Sequence, residues 1–488
     1  MRPMTGFEQL RSPLAFLQSR LPTLANLPLL QAEQRWWRTE GVPISAAIDR
    51  AGTPWLRTFD RQGKRVDEIL YPPEYQTILK RGYRAGVVWR AFEEKALLPS
   101  FQLMHTISFY DPGVGCPYTV SLATATPLAK YGRPELQARF LPQLLRKDDA
   151  VWQGATWMTE IEGGSDLGAA VKTVARPAGD HWFLTGDKYF TSNANAELAV
   201  VAARPEGAPA GVRGVALFLV PRWRPDGTLN VFLRRLKDKI ATRSVPTGEI
   251  ELRDSQGFLL GTAESGIYLL LEVLNLSRVA NSVVSVALAQ RAMADALNYA
   301  ECRTAFGKRI LDHPLLRHQF EVRFQTLRSA FALAWEAVQL LNEVWMEKPP
   351  YSDRYHLFRL VAHLAKYWTA EFAVHTAKWA MEVHGGLGTL AEQGIERWLR
   401  EAMILAIWEG TSHRQILDGL EVMDRKQAHQ MLFDELARIP SVEGVTEMRT
   451  EVQNHLSLPQ DQKETHAEWL FRRLAIFTAD QLSRKCPD

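Results

Sequence analysis

The sequence predicts an α+β multidomain protein: an N-terminal helical domain, a central β domain, and a C-terminal helical bundle with a short helical extension. Three observations carry this expectation. The chain has 488 residues, and at about 150 residues per domain that suggests roughly three units. Apolar residues recur at helical spacing to about residue 150, give way to short β-type runs, and return to helical spacing from Gly266. The composition, 46% hydrophobic and 23% charged, is globular and excludes a disordered or fibrous chain. The expected boundaries are 1–150, 151–260, 261–425 and 426–488.

The elements follow in order. Tyr75 to Ala96 carries Ile78, Leu79, Val87, Val88 and Phe92 at helical spacing and is expected to stop at Pro99. A second helix follows Cys116-Pro117 and breaks at Tyr131-Gly132-Arg133-Pro134, where Pro134 suits the first turn of a short helix to Leu145. The period then changes. Residues 169–176, 182–185, 198–203, 216–220 and 248–252 read as strands, with Gly179-Asp180 and Gly186-Asp187 as turns and 205–214 as a surface loop. From Gly266 an uninterrupted apolar run reaches Cys302, long enough to suggest a bundle. Helices over 314–347, 352–383, 394–408 and 413–423 complete it, and weaker ones reach 485.

Charge and cysteine content narrow the function classes. Lys plus Arg is 58 against 55 Asp plus Glu, a net charge of +3, which makes no whole-chain case for nucleic acid or an acidic membrane. Cys116, Cys302 and Cys486 are too scattered for a disulfide framework or a zinc site, so a cytoplasmic protein is expected. Pro3, Pro13, Pro22 and Pro28 interrupt Met1 to Leu30, which argues against a signal peptide. No window of about 18 apolar residues is found, so no bilayer span is expected. The twelve histidines show no HExxH arrangement, neither nucleotide-binding glycine motif occurs, and no metal site is expected.

Five segments carry candidate chemistry. Met158-Thr159-Glu160-Ile161-Glu162-Gly163-Gly164-Ser165-Asp166 offers backbone N–H groups and short polar side chains to a ligand, or is a tight turn into a strand. Lys188 to Asn193 sets Phe190 beside Thr191 and Ser192, fit to cover an aromatic ring or simply to fill a strand. Arg303 to Arg309 concentrates cations around Gly307, either as a helix C-cap or as a phosphate site. His384-Gly385-Gly386-Leu387-Gly388 holds more glycine than one cap requires, which suggests close backbone approach. Ile407 to Ser412 places Glu409 in a link between two helices beside apolar neighbours, and Ser412 with Gln415 forms an S-x-x-Q capping box. A carboxylate desolvated there could act as a base, and an exposed linker glutamate is the plain alternative.

In order and spacing these segments resemble the acyl-CoA dehydrogenase superfamily over roughly 75–425, and the resemblance implies that the central β domain is a β-barrel or sandwich and the C-terminal helices a four-helix bundle. Leu56 to Glu68 and Cys116-Pro117 resemble the branch that contains the bacterial adaptive-response (alkylation-damage) flavoprotein. The resemblance implies FAD as cofactor. Trp157, Met158, Thr159 and Ser165 would lie along the flavin and its pyrophosphate, with Phe190, Thr191 and Ser192 against the isoalloxazine ring. Arg303 and Phe306 would reach a neighbouring subunit's FAD, as would Glu382, Gly385 and Gly386 through their backbone. Thr411, Ser412 and His413 would contact the cofactor at a helix N-terminus. Glu409 matches the catalytic base. Arg278, Ser165 and Gly410 fall on the substrate side. Phe190 stands where the family usually has Trp, Ala305 where a hydroxyl is common, Pro314 for Gln and Leu387 for Asn.

The implied reaction is α,β-dehydrogenation of an acyl-CoA or other acyl thioester. Glu409 would remove the α-proton, and its N–H with a flavin ribityl hydroxyl would hold the developing enolate. Electrons would pass to an electron-transfer flavoprotein, and the chain would form a homotetramer built as a dimer of dimers. An acyl-CoA oxidase and a DNA-associated protective flavoprotein are the alternatives. Residues 424–488 hold nine cations and eleven anions, which is no footprint for DNA and favours the enzyme.

Overall fold

The computed structural model describes residues 7–440 and 442–485; Met1, Pro3 and Cys486 lie outside the described residues. The described residues form two compact units, each assembled from separate stretches: residues 40–96 with 113–277, and residues 7–39 with 97–112 and 278–485.

The first unit is built on strands. β1 (Trp55–Phe59) and β2 (Arg65–Leu70) form an antiparallel hairpin that the helical reading of the N-terminal segment did not include. Its turn is visible as Asp60-Arg61-Gln62-Gly63, where Asp60 accepts from the N–H groups of Gln62 and Lys64 at 2.9 Å each. Then come β3 (Gly154–Trp157), β4 (Val174–Ala178), β5 (His181–Ser192), β6 (Leu198–Pro205), β7 (Ala216–Pro221), β8 (Phe232–Leu236) and β9 (Thr247–Leu259). They pair in the order β3-β6-β4-β5-β9-β7, and a further β6–β7 pairing closes the path into a ring, with β8 on β9. Alternating side chains from this ring fill one core, including Trp157, Leu184, Val201, Phe218 and Ile250. The helix Gly115–Tyr131 is tied to β3: Ser121 Oγ accepts from Gly154 N at 2.9 Å, and Thr124 donates to Ala155 O at 2.9 Å. A Cβ on Gly154 would come within 2.6 Å of the Thr124 side chain, which is why glycine stands there.

Three local expectations are corrected in this unit. The helix at Tyr75 ends at Ala85, because Gly86 adopts φ 104 and caps it; a separate short helix covers Trp89–Glu93. Gly186-Asp187 is no turn but lies inside β5, where the register against β9 shifts and Gly186 has φ 151. Ala169-Ala170 belongs to a helical turn, Leu167–Ala170, capped by the Asp166 side chain, so the strand begins only at Val174.

The second unit is helical. Pro99 does not stop a helix; it sits in the first turn of Leu98–Ser108. The 37-residue helix Gly266–Cys302, begun in the strand unit, runs from Arg278 onward in this one. Pro314–Val344, Asp353–His384, Ile395–Ile407 and Ser412–Lys426 follow as expected from periodicity, with Asp353–His384 packed against each of the other three. Contrary to the expectation, one 18-residue window within Ala263–Cys302 is apolar enough to cross a membrane, with a mean hydropathy of 1.4. That window is 83% buried inside the protein. It reads as a core helix: Asn281, Ser282, Ser285 and Gln290 are also buried along it.

The C-terminal extension is part of this unit. Its last helix, Ala467–Ser483, lies against Pro314–Val344, Asp353–His384 and Ser412–Lys426. Phe471, fully buried, fills the space left by Gly419; a Cβ there would come within 2.3 Å of the ring. Phe471→Ala should therefore destabilise the unit by about 3–5 kcal/mol. Trp469→Ala, at a ring that is mostly exposed on the same helix, should stay within roughly 0.5 kcal/mol. Thermal or denaturant unfolding of the two variants checks this, and equal effects would show that the extension is not packed as described.

Candidate functional site

Within the strand unit, the segment 157–166 is anchored at one end and open at the other. Trp157 is buried in the sheet core and donates from Nε1 to Ser192 O at 3.1 Å. Glu160 and Lys188, 6% and 0% exposed in their side chains, form an ion pair at 2.6 Å. Glu160 also accepts from Lys172 N, Thr173 N and Thr173 Oγ1, and Lys188 donates a second time to Met158 O at 3.3 Å. Burial acts to raise the Glu160 pKa, but the Lys188 charge and the surrounding donors outweigh it and hold the carboxyl below its ordinary value. Burial pulls the Lys188 ammonium down to about 8. Tyr189 N donates to Thr159 O at 3.0 Å, which ties the same segment to β5.

Beyond this anchor the groups are unspent. Thr159 is half-buried, Ser165 is exposed, and neither hydroxyl bonds to a described residue. Phe190 is 55% exposed, an apolar ring on the surface of β5, with the Lys237 ammonium 4.8 Å from its centroid. Thr191 is buried and donates to Gly248 O at 2.8 Å, so it positions the strand; Ser192 Oγ lies 3.2 Å from Thr247 Oγ1.

In the helical unit, Glu409 stands in the link between Ile395–Ile407 and Ser412–Lys426. Its backbone has φ 57, and Gly410 follows at φ 93. A non-glycine residue in this region is strained by about 1 kcal/mol or more, and such residues gather at functional sites. Donors converge on the turn's carbonyls. Arg278 Nε donates to Glu409 O at 3.2 Å, Gln415 Nε2 to Glu409 O and Gly410 O at 3.0 Å each, and Lys366 Nζ to Gly410 O at 2.8 Å and Ala406 O at 3.0 Å. Among the described residues, none forms a hydrogen bond or ion pair with the Glu409 carboxyl. Desolvation raises its pKa above the ordinary value, opposed by the charges of Arg278 and then Lys366. Arg278 is itself buried and paired with Asp418 at 3.1 Å.

The capping box is corrected. The helix N-cap is Thr411, which makes no side-chain cap bond, and Ser412 donates instead to Glu371 at 2.7 Å. Gln415 turns away from the helix start to the Glu409 turn, and its Oε1 pairs with His363 Nδ1 at 2.9 Å. The exposed His413 and the uncapped Thr411 leave this N-terminus without a side-chain acceptor, as an anion-binding end requires.

Arg303 to Arg309 is neither a simple cap nor a helical extension. β10 (Thr304–Ala305) and β11 (Lys308–Arg309) form a minimal hairpin, with Phe306 at φ 50 and Gly307 at φ 80 in its two-residue turn. The turn holds Phe306 out, 96% exposed. At the other glycine turn, Gly388 is required inside the chain, since a Cβ would meet Met381 O at 2.3 Å. Gly386 meets nothing within 4 Å, and Gly385 is called for only by its φ of 61. Glu382 is exposed and paired with Lys378.

The structure sets Arg278, which the resemblance placed on the substrate side, against the Glu409–Gly410 turn, with Lys366 and Asp418, which the sequence did not single out, and Gln415, read only as a capping residue, beside them. A lysine between Ala362 and Ala370 on an otherwise apolar helical stripe was the available signal for Lys366.

Comparison with known proteins agrees with this organisation. Residues 264–423 match the acyl-CoA dehydrogenase C-terminal domain, residues 155–255 its middle domain, and residues 28–149 the N-terminal domain of the adaptive response protein AidB. The chain is 29% identical to acyl-CoA dehydrogenase family member 11 of Caenorhabditis elegans, over 82% of this chain and 66%, just under two thirds, of that protein. It is 30% identical to the human mitochondrial short-chain specific acyl-CoA dehydrogenase, over 64% of this chain and 74% of that one. Among solved structures, the apo-form of Bd2924 superposes with a TM-score of 0.87 at 28% identity, covering 98% of this chain and 96% of that chain.

Glu160→Gln would leave the Lys188 ammonium buried without its counter-charge, and a loss of about 3–5 kcal/mol is expected. The folded carboxyl has a lowered pKa, so its contribution is complete above the unfolded value near 4.5 and is lost as pH falls through the folded one. The wild type's advantage in thermal midpoint should be steady near neutrality and shrink below that value. A midpoint difference independent of pH from about 3 to 7 would contradict the pairing.

Proposed function

The chain belongs to the acyl-CoA dehydrogenase family, and on that premise we propose that it dehydrogenates the α,β-bond of an acyl-CoA thioester, with Glu409 as the base. Family members are flavin enzymes that act on the CH–CH unit of acyl-CoA. The observation that carries the reading is the Glu409 turn: a desolvated carboxyl with no bonding partner among the described residues, on strained backbone whose carbonyls are all engaged.

The chain's own residues support FAD as the bound group. In the strand unit, Thr159 and Ser165 keep free hydroxyls and Phe190 keeps a free ring face, suited to the polar edge and the face of a flavin. In the helical unit, the uncapped N-terminus at Thr411, Ser412 and His413 suits an anionic oxygen. When bound, FAD supplies the acceptor for the hydride that leaves the β-carbon. Glu409 takes the α-proton, so one C–H bond gives its electron pair to the new double bond and the other loses hydride. The Glu409 N–H, which donates to no described residue, is available to the thioester oxygen as it gains charge. Arg278 holds the Glu409 carbonyl and so fixes the peptide plane that leads from Glu409 into Gly410.

Electron-transfer flavoprotein is the acceptor this reading favours, with dioxygen the alternative that defines an oxidase. A homotetramer, as a dimer of dimers, is supported by Phe306. A phenylalanine ring 96% exposed on a tight hairpin, with an edge contact to His313 at 6.1 Å between ring centroids, leaves most of its surface unused within one chain. The open space at Gly386 is a second surface with no internal explanation.

Glu409→Gln should retain FAD and slow anaerobic flavin bleaching by the best acyl-CoA of a chain-length panel at least ~10²-fold, the lower end for a lost general base. Bleaching at the wild-type rate would remove Glu409 from the role. Phe306→Ser should leave helix content unchanged yet lower both the mass by light scattering and the FAD retained on dilution. A variant with wild-type mass and cofactor content would show that the hairpin is not part of a subunit contact.

A further inference from the structure

Lys366 is a fully buried ammonium in the middle of the helix Asp353–His384. Among the described residues no carboxylate lies within ion-pair distance of it. Its two bonds go to carbonyls on either side of Glu409: Ala406 O, in the last turn of one helix at 3.0 Å, and Gly410 O, in the link at 2.8 Å. A buried cation spent on two neutral acceptors is expensive. A hydrophobic residue and a differently capped turn would be cheaper for folding alone. The cost is understandable if the charge itself is used.

We propose that Lys366 is a positioning residue for the proton transfer, holding the strained Glu409 turn from both sides while its charge keeps the Glu409 carboxyl ionised and ready to accept a proton. The inference rests on the reading of Glu409 as the base.

The surrounding groups are consistent with it. Arg278, from the long helix, and Lys366 are the cations acting on Glu409. Arg278, Glu409 and Glu371 act on Lys366, and burial, the leading cause, lowers its pKa to about 7. Arg278 is turned to Asp418 and to the Glu409 backbone, and Arg359 and Arg414 also bear on it. His363, one turn before Lys366, is held neutral, its pKa pushed down to about 3 mainly by burial. Removing Lys366 therefore takes away one of two cations that favour the Glu409 carboxylate, and the carboxyl pKa must rise.

Two variants separate geometry from charge. Lys366→Gln keeps a donor for the carbonyls and loses the charge; Lys366→Met loses both. Each is purified, its FAD content measured, and its anaerobic flavin reduction by acyl-CoA followed against pH beside wild type and Glu409→Gln. In Lys366→Gln the acid limb of the rate should move up by about 1 pH unit, the low end for loss of an opposite charge within ~4–6 Å, with the plateau within roughly threefold of wild type. In Lys366→Met the limb should move likewise and the plateau fall at least about tenfold, as Ala406 O loses its side-chain donor and Gly410 O keeps only Gln415. FAD content should match wild type in Lys366→Gln. An unmoved limb in the FAD-replete variants, beside a slow Glu409→Gln, would overturn the role of Lys366 alone. Loss of FAD from both variants would also overturn it, since a residue acting only through Glu409 leaves the cofactor in place. A Glu409→Gln variant reduced as fast as wild type would instead remove the base assignment, and this inference with it.

Discussion

Where one helix ends and the next begins, the last carbonyls of the first have no partner in their own helix, and in a buried place each must find a donor. At Ala406, Glu409 and Gly410 the donors come from side chains on three helices: Lys366, Gln415 and Arg278. Because these groups are spent on the backbone, the Glu409 carboxyl is left without a bonded partner while still lying in the field of two cations. The same bonds hold Glu409 in a backbone conformation it would not keep alone. Strain, charge and an unpaired carboxyl are thus consequences of one requirement: satisfying the carbonyls of a buried helix–helix link.

The strand unit meets a similar requirement by different means. There the irregular segment after β3 is held by one buried carboxylate, Glu160, that collects two backbone N–H groups, a hydroxyl and the Lys188 ammonium. The pair lies under the segment, so Thr159 and Ser165 face outward with their hydroxyls unspent. In both clusters the buried ionic groups serve the backbone, and Thr159, Ser165 and the Glu409 carboxyl are left free, whereas Thr191, Ser192 and Ser412, which the resemblance also sets against the cofactor, are bonded within the chain. The two clusters are built independently, which is why their residues are far apart in sequence and share no motif.

Exposed features complete the picture of what this chain leaves for others. The Phe306 ring stays 96% exposed apart from its edge on His313, and the space at Gly386 is open, whereas Gly388, Gly154 and Gly419 are each filled by a named neighbour. The distinction matters because glycine and phenylalanine both occur for packing. Only where packing is accounted for does an unfilled position become informative.

The order of helices, strands and helices was legible from the sequence because hydrophobic period is a local property. It depends on which residues of a short window face the interior. The long helix to Cys302, the first residues of β5, the strands β6 and β7, and the placement of Glu409 between two helices all followed from it. Gly86 and Gly186 were misread because glycine permits a cap, a turn or a bulge equally, and only the neighbouring strand or helix selects among them. The capping box at Ser412 was read from a pattern that the fold overrode, since Gln415 found buried carbonyls to satisfy. The carbonyls that Lys366 serves and the pairing of Glu160 with Lys188 could not be read. A period shows that a position faces inward, but the partner of a polar group there, Gly410 for Lys366 across 44 residues, is chosen by tertiary packing. Buried polar atoms must be paired, and only the folded chain determines with what.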